Sequence, residues 1–191
     1  MLIQFAAVLL LALLPPSGFA AGTPAPVARS VDIGAGLSIS VPSGWNDDPV
    51  PLYQGAIKDL RYTTPGLRMA ITTFPLPKGV TIPEMEDIPA LARKGMTPYL
   101  GSSVEGAATS TDVHHDGIDE AYASLTAKPG GAGFNVYPGE LHPAHTYACV
   151  TTAVGKLPGA WFVLSIASDD CDGSAYGHAV DVVKSIRRRG A

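Results

Sequence analysis

Four histidines are the residues of this sequence best suited to metal or proton chemistry. Two follow each other just before Asp116, and two lie three residues apart further along the chain. Neutral imidazole is a common ligand of transition metals, and a specific site needs three or four ligands that converge. The candidate metal ligands are therefore His114, His115, His142 and His145. Because one sequence does not show that the two loops meet, solvent-exposed loop histidines are the alternative.

The second histidine pair belongs to the longest irregular stretch of the chain, residues 129–145, which is rich in glycine and proline. Loops held by a rigid framework often carry function. We therefore predict that residues 130–145 form one wall of a ligand or partner surface. A disordered insertion is the alternative. The candidate binding residues are Phe134, Tyr137, Glu140, His142 and His145.

An apolar run over residues 2–14 opens the chain, and the small residues Gly18 and Ala20 follow it. The run is too short to cross a bilayer, and this arrangement is typical of a secretory signal peptide. We predict a signal peptide over residues 1–20 and a mature protein that is exported to a periplasmic or extracellular space and does not span a membrane. No Lys or Arg precedes the run, so either the true start lies upstream or the amino terminus supplies the usual positive charge.

The two cysteines of the chain, Cys149 and Cys171, bear on its covalent state. An even count in an exported protein favours a disulfide, because the compartment is oxidising. The bond requires the chain to double back near residues 168–169, which the acidic segment 169–173 permits. Closing a loop of about 22 residues would contribute about 3 kcal/mol in the chain-entropy model. A buried free Cys149 with an exposed Cys171 is the alternative.

The charge balance narrows the class of partner. The sequence carries 17 acidic and 13 basic residues, a net charge of −4. A mildly acidic protein has no electrostatic attraction for nucleic acid or for an anionic membrane. We therefore expect another protein or a small ligand as the partner, and its identity does not follow from the sequence.

Enzyme motifs are weak in this chain. Ser174 stands in a segment that resembles a nucleophile elbow, but it occupies the second position of the motif rather than the third. Residues 130–133 are rich in glycine but lack the lysine and the following helix of a phosphate-binding loop. We predict a non-enzymatic binding or interaction module without a cofactor. A metal-binding or hydrolytic protein that uses the histidine loops is the alternative function.

The element that positions these residues is a predicted hairpin over residues 146–154 and 160–168. Both arms are rich in β-branched and aromatic residues on both sides, which favours the middle of a sheet with two covered faces. A five-residue turn that sets Val154 opposite Ala160 places Val150 and Phe162 on one side of the hairpin. Thr151 then lies on the other side.

A terminal helix is predicted over residues 174–188, because apolar residues recur there at three- and four-residue steps. Residue 172 or 174 would cap its start, and the arginines at 187–189 would favour its carboxyl end. The helix is expected to cover the hairpin. The predicted contact joins Phe162, Leu164 and Ile166 of the hairpin to Val180 and Val183 of the helix.

The rest of the chain predicts further strands at residues 37–41, 52–62, 67–74, 103–114 and 118–128. A middle helix near residues 84–96 is expected to be broken or frayed by proline and glycine. Residues 21–36 are predicted to form a flexible lead-in, and residues 46–51 a loop. The order predicts an α+β fold, with a mainly antiparallel sheet covered by helices on its faces, in a single domain over residues 37–191.

The early strand ends in the sequence SVPSGW at residues 40–45, and a meander, a middle helix, an aromatic hairpin and a closing helix follow. Together these elements resemble the PsbP-like α/β/α sandwich over most of the mature chain. The resemblance implies a small binding or assembly protein without an active site common to the family. No functional residue is carried over from it.

Overall fold

The structure is a computed structural model that describes residues 28–48, 58–77, 79, 87–136 and 145–189. The predicted signal peptide over residues 1–20 lies outside these ranges. The elements of the described part are β1 (Ala28–Gly34), β2 (Leu37–Pro42), β3 (Asn46–Asp48), β4 (Lys58–Thr64), β5 (Leu67–Pro75), α1 (Ile88–Met96), a 3-10 helix (Thr97–Ser102), β6 (Ser110–His115), β7 (Ile118–Thr126), β8 (Cys149–Leu157), β9 (Ala160–Ser168), α2 (Ser174–Lys184) and β10 (Arg187–Arg188).

One large antiparallel sheet dominates the fold, with the strand order β3-β4-β5-β9-β8-β7-β6, and β1, β2 and β10 form a smaller sheet. Helix α1 packs against β6, β7 and β8, while α2 packs against β2, β5 and β9. The predicted α+β fold, an antiparallel sheet with helices on its faces, is confirmed. Within the described ranges, no helix is long and apolar enough to cross a membrane.

Each face of the large sheet has its own hydrophobic core. Phe162, Leu164 and Ile166 of β9 lie in a buried cluster with Val183 of α2, and Val180 packs beside it partly buried. The predicted packing of the hairpin against the terminal helix is therefore confirmed. The buried cluster on the α1 side comprises Ile88, Ala92, Met96, Ala121, Ala123, Leu125, Phe134, Val150 and Val154.

The register of the central hairpin differs from the prediction. Leu157 rather than Val154 lies opposite Ala160, so the turn has two residues instead of five. The physical reason is that Gly155 belongs to the strand and not to the turn. A Cβ atom at Gly155 would stand 2.2 Å from Cζ of Phe162, so the strand needs glycine where the aromatic ring crosses it.

This change of register moves side chains between the faces of the sheet. A shift by an odd number of residues exchanges the two faces of a strand. Val150 and Val154 therefore face α1, and Thr151 faces α2, the reverse of the prediction for these residues. Thr151 is fully buried, and its hydroxyl lies 2.7 Å from Oγ of Ser124 and 2.5 Å from Oη of Tyr176.

The terminal helix is shorter than predicted. It ends at Lys184 rather than at residue 188, and Arg187 and Arg188 instead pair with β2. The three arginines therefore do not form the last turn of the helix. At the start of the helix, the N-cap residue is Gly173, which has no side chain that could accept a capping hydrogen bond. The predicted caps at residues 172 and 174 are both wrong.

Three smaller predictions of the strand pattern are also wrong. Residues 28–34 form a strand that pairs with β2, so this part of the predicted lead-in over residues 21–36 is ordered sheet. Its pattern is weak because Ile33 is the one buried side chain of the strand. Residues 46–48 form a short strand rather than a loop. Strand β6 begins at residue 110 and not at 103, because Ser103 makes an isolated bridge to Ala127 before the chain loops out.

Candidate functional site at the open edge of the sheet

The β6–β7 hairpin forms one edge of the large sheet. Its turn consists of Asp116 and Gly117, both with positive φ angles of 50° and 69°. Two such residues between the strands are typical of a type I′ turn, whose twist matches that of the flanking strands. His115 therefore lies opposite Ile118, and His114 opposite Asp119. The turn fixes which histidine faces each side of the sheet.

A polar groove lies beside this edge on the α1 side. It encloses a cavity of about 170 Å³ between the start of α1 and the ends of β6, β7 and β8. Nδ1 of His114 lies 3.1 Å from Oδ1 of Asp119, and both side chains are largely exposed. The groove can therefore bind a polar or cationic group through charge-assisted hydrogen bonds. Its lining residues are Ile88, Pro89, Asp112, His114, Asp119, Glu120 and Lys156.

A buried carboxyl group lies on the opposite side of the same edge. The Glu120 side chain is 0% exposed, and neither of its oxygens has a hydrogen-bond partner among the described residues. His115 and Glu120 are at ion-pair distance, but Nε2 of His115 lies 3.6 Å from Oε2 of Glu120, which is too far for a hydrogen bond. Burial raises the pKa of Glu120 to about 8, because the low dielectric disfavours the charged form.

Strand alternation places the Glu120 side chain on the α2 side and the groove on the α1 side. Glu120 pairs across the sheet with Gly155, which pairs with Phe162, so the carboxyl lies in the same row as that aromatic ring. A buried acid with a raised pKa and no hydrogen-bond partner is a common mark of a functional region. The two features therefore mark one edge of the molecule from its two faces.

The structure does not bring the described histidines together. His114 and His115 lie at the turn end of β6, whereas His145 lies four residues before Cys149, at the other end of the sheet. Strand β7 separates the two ends by about 25 Å, at about 3.3 Å per residue. Among the described residues, no group of three or more His, Cys, Asp or Glu side chains is placed to hold a metal ion. His142 lies outside the described ranges.

The predicted binding loop is described in part. Phe134 is 1% exposed, belongs to the α1-side core and contacts the ring of Tyr99, so its predicted role in a surface wall is wrong. Its backbone is fixed by two hydrogen bonds to Tyr147. His145 is exposed, and its Nε2 lies 2.7 Å from Oδ1 of Asp169. The other candidates lie outside the described residues, namely Tyr137, Glu140 and His142.

The two cysteine sulfurs lie at bonding distance. Sγ of Cys149 and Sγ of Cys171 are 1.93 Å apart, and their Cα atoms are 5.5 Å apart. The chain doubles back between them, as the predicted bond requires. The reversal is held by the Asp169 N–H, which donates to the Gly66 carbonyl at 2.8 Å, and by Asp170, whose N–H donates to Oγ of Ser168 at 3.2 Å.

Sequence reasoning missed Glu120 and the groove residues Asp112, Asp119 and Lys156. A signal for Glu120 exists in the sequence, because Ile118, Glu120 and Tyr122 alternate on the buried side of a predicted strand. A charged residue at an inward position of a strand is unusual enough to mark it. The groove has no comparable signal, since its residues come from four separate elements.

Comparison with known proteins supports the fold. No family model matches the chain, and no curated protein matches it. Among solved structures, cyanobacterial PsbP (CyanoP) from Synechocystis sp. PCC 6803 is similar at a TM-score of 0.53 and 12% identity, over 91% of this chain and 99% of that one. The fold is PsbP-like. At this identity the similarity concerns the fold alone.

A crystal structure from Bacteroides thetaiotaomicron VPI-5482 is also similar, at 16% identity over 86% of this chain and 48% of that one. Its TM-score is 0.48, which is too low to carry an argument about fold or function. The structural support for a PsbP-like fold therefore comes from the cyanobacterial structure.

Proposed function

We propose that this protein is an exported, non-enzymatic interaction module that binds a protein partner at the open edge of β6. The observation that carries the proposal is the combination of an unpaired strand edge with a polar groove directly beside it. Export is supported by the apolar run over residues 2–14 and by the cysteine pair at bonding distance.

The edge of β6 offers backbone groups to a partner. In an antiparallel hairpin with a two-residue turn, the residues that flank the turn exchange hydrogen bonds, and the following pairs alternate. The backbone groups of His115 and Val113 therefore point to β7, while those of His114 and Asp112 point outward. No strand in the described part of the chain pairs with this outer side. An extended segment of a partner can extend the sheet here by strand addition.

The groove adds side-chain selectivity to this edge. Asp112 and Asp119 present two carboxylates on the same face as His114, and Lys156 lies opposite Asp119 across the sheet. A strand added to β6 would direct every second side chain over this face. A basic or imidazole side chain at such a position would meet the carboxylates, and charge-assisted hydrogen bonds would fix its register.

Several groups that suit catalysis have other roles in the structure. Cys149 is at bonding distance from Cys171, His145 pairs with Asp169, and the Glu120 side chain is fully buried. A metal-binding or hydrolytic protein that uses the histidine loops is the alternative function. No observation in the described residues favours it, because His114 and His115 lie at one end of the sheet and His145 lies at the other.

A site-specific photo-crosslinker tests the docking surface. We would place it at Thr111, an exposed residue of β6, and at Asp181, an exposed residue of α2, as the matched control. Crosslinks to a discrete protein from the exported fraction are expected at position 111 and not at 181. Adding Asp112→Pro removes an outward N–H that β7 does not use, and should abolish the crosslink. Equal labelling at both positions, or labelling that persists with Asp112→Pro, would contradict the proposal.

Export has its own test. The protein is expressed with its full sequence in a bacterium, and the cell fractions are examined by intact mass measurement and by alkylation without reductant. We expect the mature form to begin at Ala21, outside the cytoplasm, with Cys149 and Cys171 protected from alkylation. An uncleaved chain with two alkylated thiols in the cytoplasm would refute the exported part of the proposal.

A further inference from the structure

We infer that the partner strand at this edge is β6 of a second copy of the chain, so that two large sheets join into one through antiparallel β6–β6 pairing. The inference rests on the proposed function, because it names the occupant of the edge proposed there. It follows from the order of charges along β6, whose sequence is Ser-Thr-Asp-Val-His-His.

The outward backbone groups restrict the possible registers. They belong to the even-numbered residues of β6, as the type I′ turn requires. A twofold axis perpendicular to the sheet keeps the α1 faces of both copies on one side. Asp112 and His114 both project to that face, so each can stand opposite the other, or opposite itself, in the second copy.

Charge selects among these registers. Setting Asp112 opposite Asp112 of the second copy brings two carboxylates together, which is destabilising across strands. Setting His114 opposite itself leaves Asp112 facing Asp116, again two carboxylates. The register between them places Asp112 opposite His114 in both directions, so the interface contains two Asp–His pairs. Of the three registers, this is the only one in which the side chains of the two β6 edges are complementary.

The same register is favourable on the other face. Val113 lies at its centre and meets Val113 of the second copy, so two half-buried apolar side chains cover each other. On the α1 face, His114 already has Nδ1 at 3.1 Å from Asp119. Its free Nε2 edge is then available to Asp112 of the second copy, and the imidazole links two carboxylates across the interface. The groove residues thereby become part of the interface.

A charge-exchange series tests this pairing by sedimentation velocity of the mature protein over a wide concentration range. Asp112→Lys sets an ammonium group opposite His114, and His114→Glu sets a second carboxylate opposite Asp112. Each should weaken dimerisation by about tenfold or more, because each removes two cross-strand pairs. The double variant, Asp112→Lys with His114→Glu, restores opposite charges at the two positions and should dimerise as the wild type does. Asp181→Lys, an equal charge change on exposed α2, should have no effect.

Each outcome of these experiments either supports or overturns the β6–β6 pairing. A monomer at every concentration, with the crosslink at Thr111 still capturing a different protein, overturns the inference and leaves the proposed function intact. A monomer with no crosslink at all overturns both. A dimer that survives Asp112→Pro, or that the double variant fails to restore, places the contact elsewhere or in another register and overturns the inference. Circular dichroism of each variant confirms that the fold is retained.

Discussion

The two ends of the central strands β8 and β9 are held in different ways. At the end that carries Cys149, the chain is fixed by the cysteine pair, by the contact of His145 with Asp169 and by the backbone bond from Asp169 to Gly66. At the other end, the neighbouring hairpin carries Glu120, whose buried oxygens lack a hydrogen-bond partner in the described part of the chain. One end of the sheet is tied, and the other keeps a buried acid without a hydrogen bond beside an open strand.

This contrast separates the end of the sheet whose described polar groups are satisfied from the end where we propose the interaction surface. A buried polar group without a partner costs about 1–3 kcal/mol, and proteins tend to keep such groups where they serve a purpose. Among the described residues of the tied end, no buried side-chain nitrogen or oxygen lacks a hydrogen bond. The open end leaves both a buried carboxyl group and a strand edge unsatisfied, which is why we place the interaction surface there.

The largest expected effect concerns the row of side chains that leads from the open edge into the core. Phe162 is fully buried and crosses Gly155, next to Glu120. Phe162→Ala should lower the free energy of unfolding by about 3–5 kcal/mol, because it removes a large buried ring and leaves a cavity. Urea unfolding followed by circular dichroism measures the loss.

Val163→Ala is the matched control for this prediction. Val163 is the next residue of β9, is only partly buried and packs on the α1 side. Its truncation should cost clearly less than that of Phe162. Similar losses for the two variants would show that the α2-side core does not depend on the ring of Phe162.

The second prediction concerns the tied end. Replacing Cys149 and Cys171 together by serine should lower the free energy of unfolding by about 3 kcal/mol, because the unfolded chain regains the entropy of an open loop. Reductant should have the same effect on the wild type and none on the variant. Unfolding in urea with and without reductant measures both. If reductant left the wild-type midpoint unchanged, the covalent tie would be ruled out.

The sequence predicted the tied end better than the open one, for physical reasons. The two cysteines and the predicted signal peptide favour a disulfide, and the nearby acidic segment 169–173 permits the chain reversal that this bond requires. The aromatic hairpin and the apolar stripe of α2 likewise identified the core contact of Phe162, Leu164 and Ile166. These features depend on residues that are near one another in sequence.

The open end depends on pairings between distant segments, which the sequence did not reveal. The composition of residues 155–159 predicts a turn, although Gly155 is a strand residue that makes room for the ring of Phe162. That error displaced the register and assigned Thr151 to the wrong face. Phe134 was placed on a surface because it lies in an irregular segment, but its bridge to Tyr147 draws it into the core. Composition alone does not distinguish these cases.

The third prediction concerns Glu120, the buried acid without a hydrogen bond at the open end. The pKa of Glu120 is raised from 4.5 to about 8 in the folded protein, so between these values the folded state binds a proton that the unfolded state has lost. The contribution of Glu120 to the free energy of unfolding is therefore greatest below about pH 4.5. It falls as the pH rises towards 8. We expect a loss of about 2 kcal/mol between pH 6 and pH 8.

Glu120→Gln is the control, because it keeps the shape and cannot ionise. Its stability should lack this decline, so the variant gains relative to the wild type as the pH rises. Thermal or urea unfolding at several pH values measures the difference. A wild type and a variant with parallel profiles would mean that the carboxyl group finds a partner or solvent when it ionises, and the contrast between the two ends would fail.

The smallest expected effect comes from a buried polar group that is satisfied. Thr151 lies on the same face as Glu120, two residues from Cys149, and its hydroxyl contacts both Ser124 and Tyr176. Thr151→Ala should cost about 1–2 kcal/mol, because two partner hydroxyls lose a hydrogen bond. Thr151→Ser keeps the hydroxyl and should cost less, which separates the polar loss from the loss of a methyl group.

A double-mutant cycle with Tyr176→Phe completes this test. If the hydroxyls form one connected network, the two single losses should not add, and the coupling should be about 0.5 kcal/mol or more. Urea unfolding at a fixed pH gives all four stabilities. Strict additivity would mean that Thr151 and Tyr176 act independently, so that the polar groups near the tied end would be no better connected than Glu120 at the open edge.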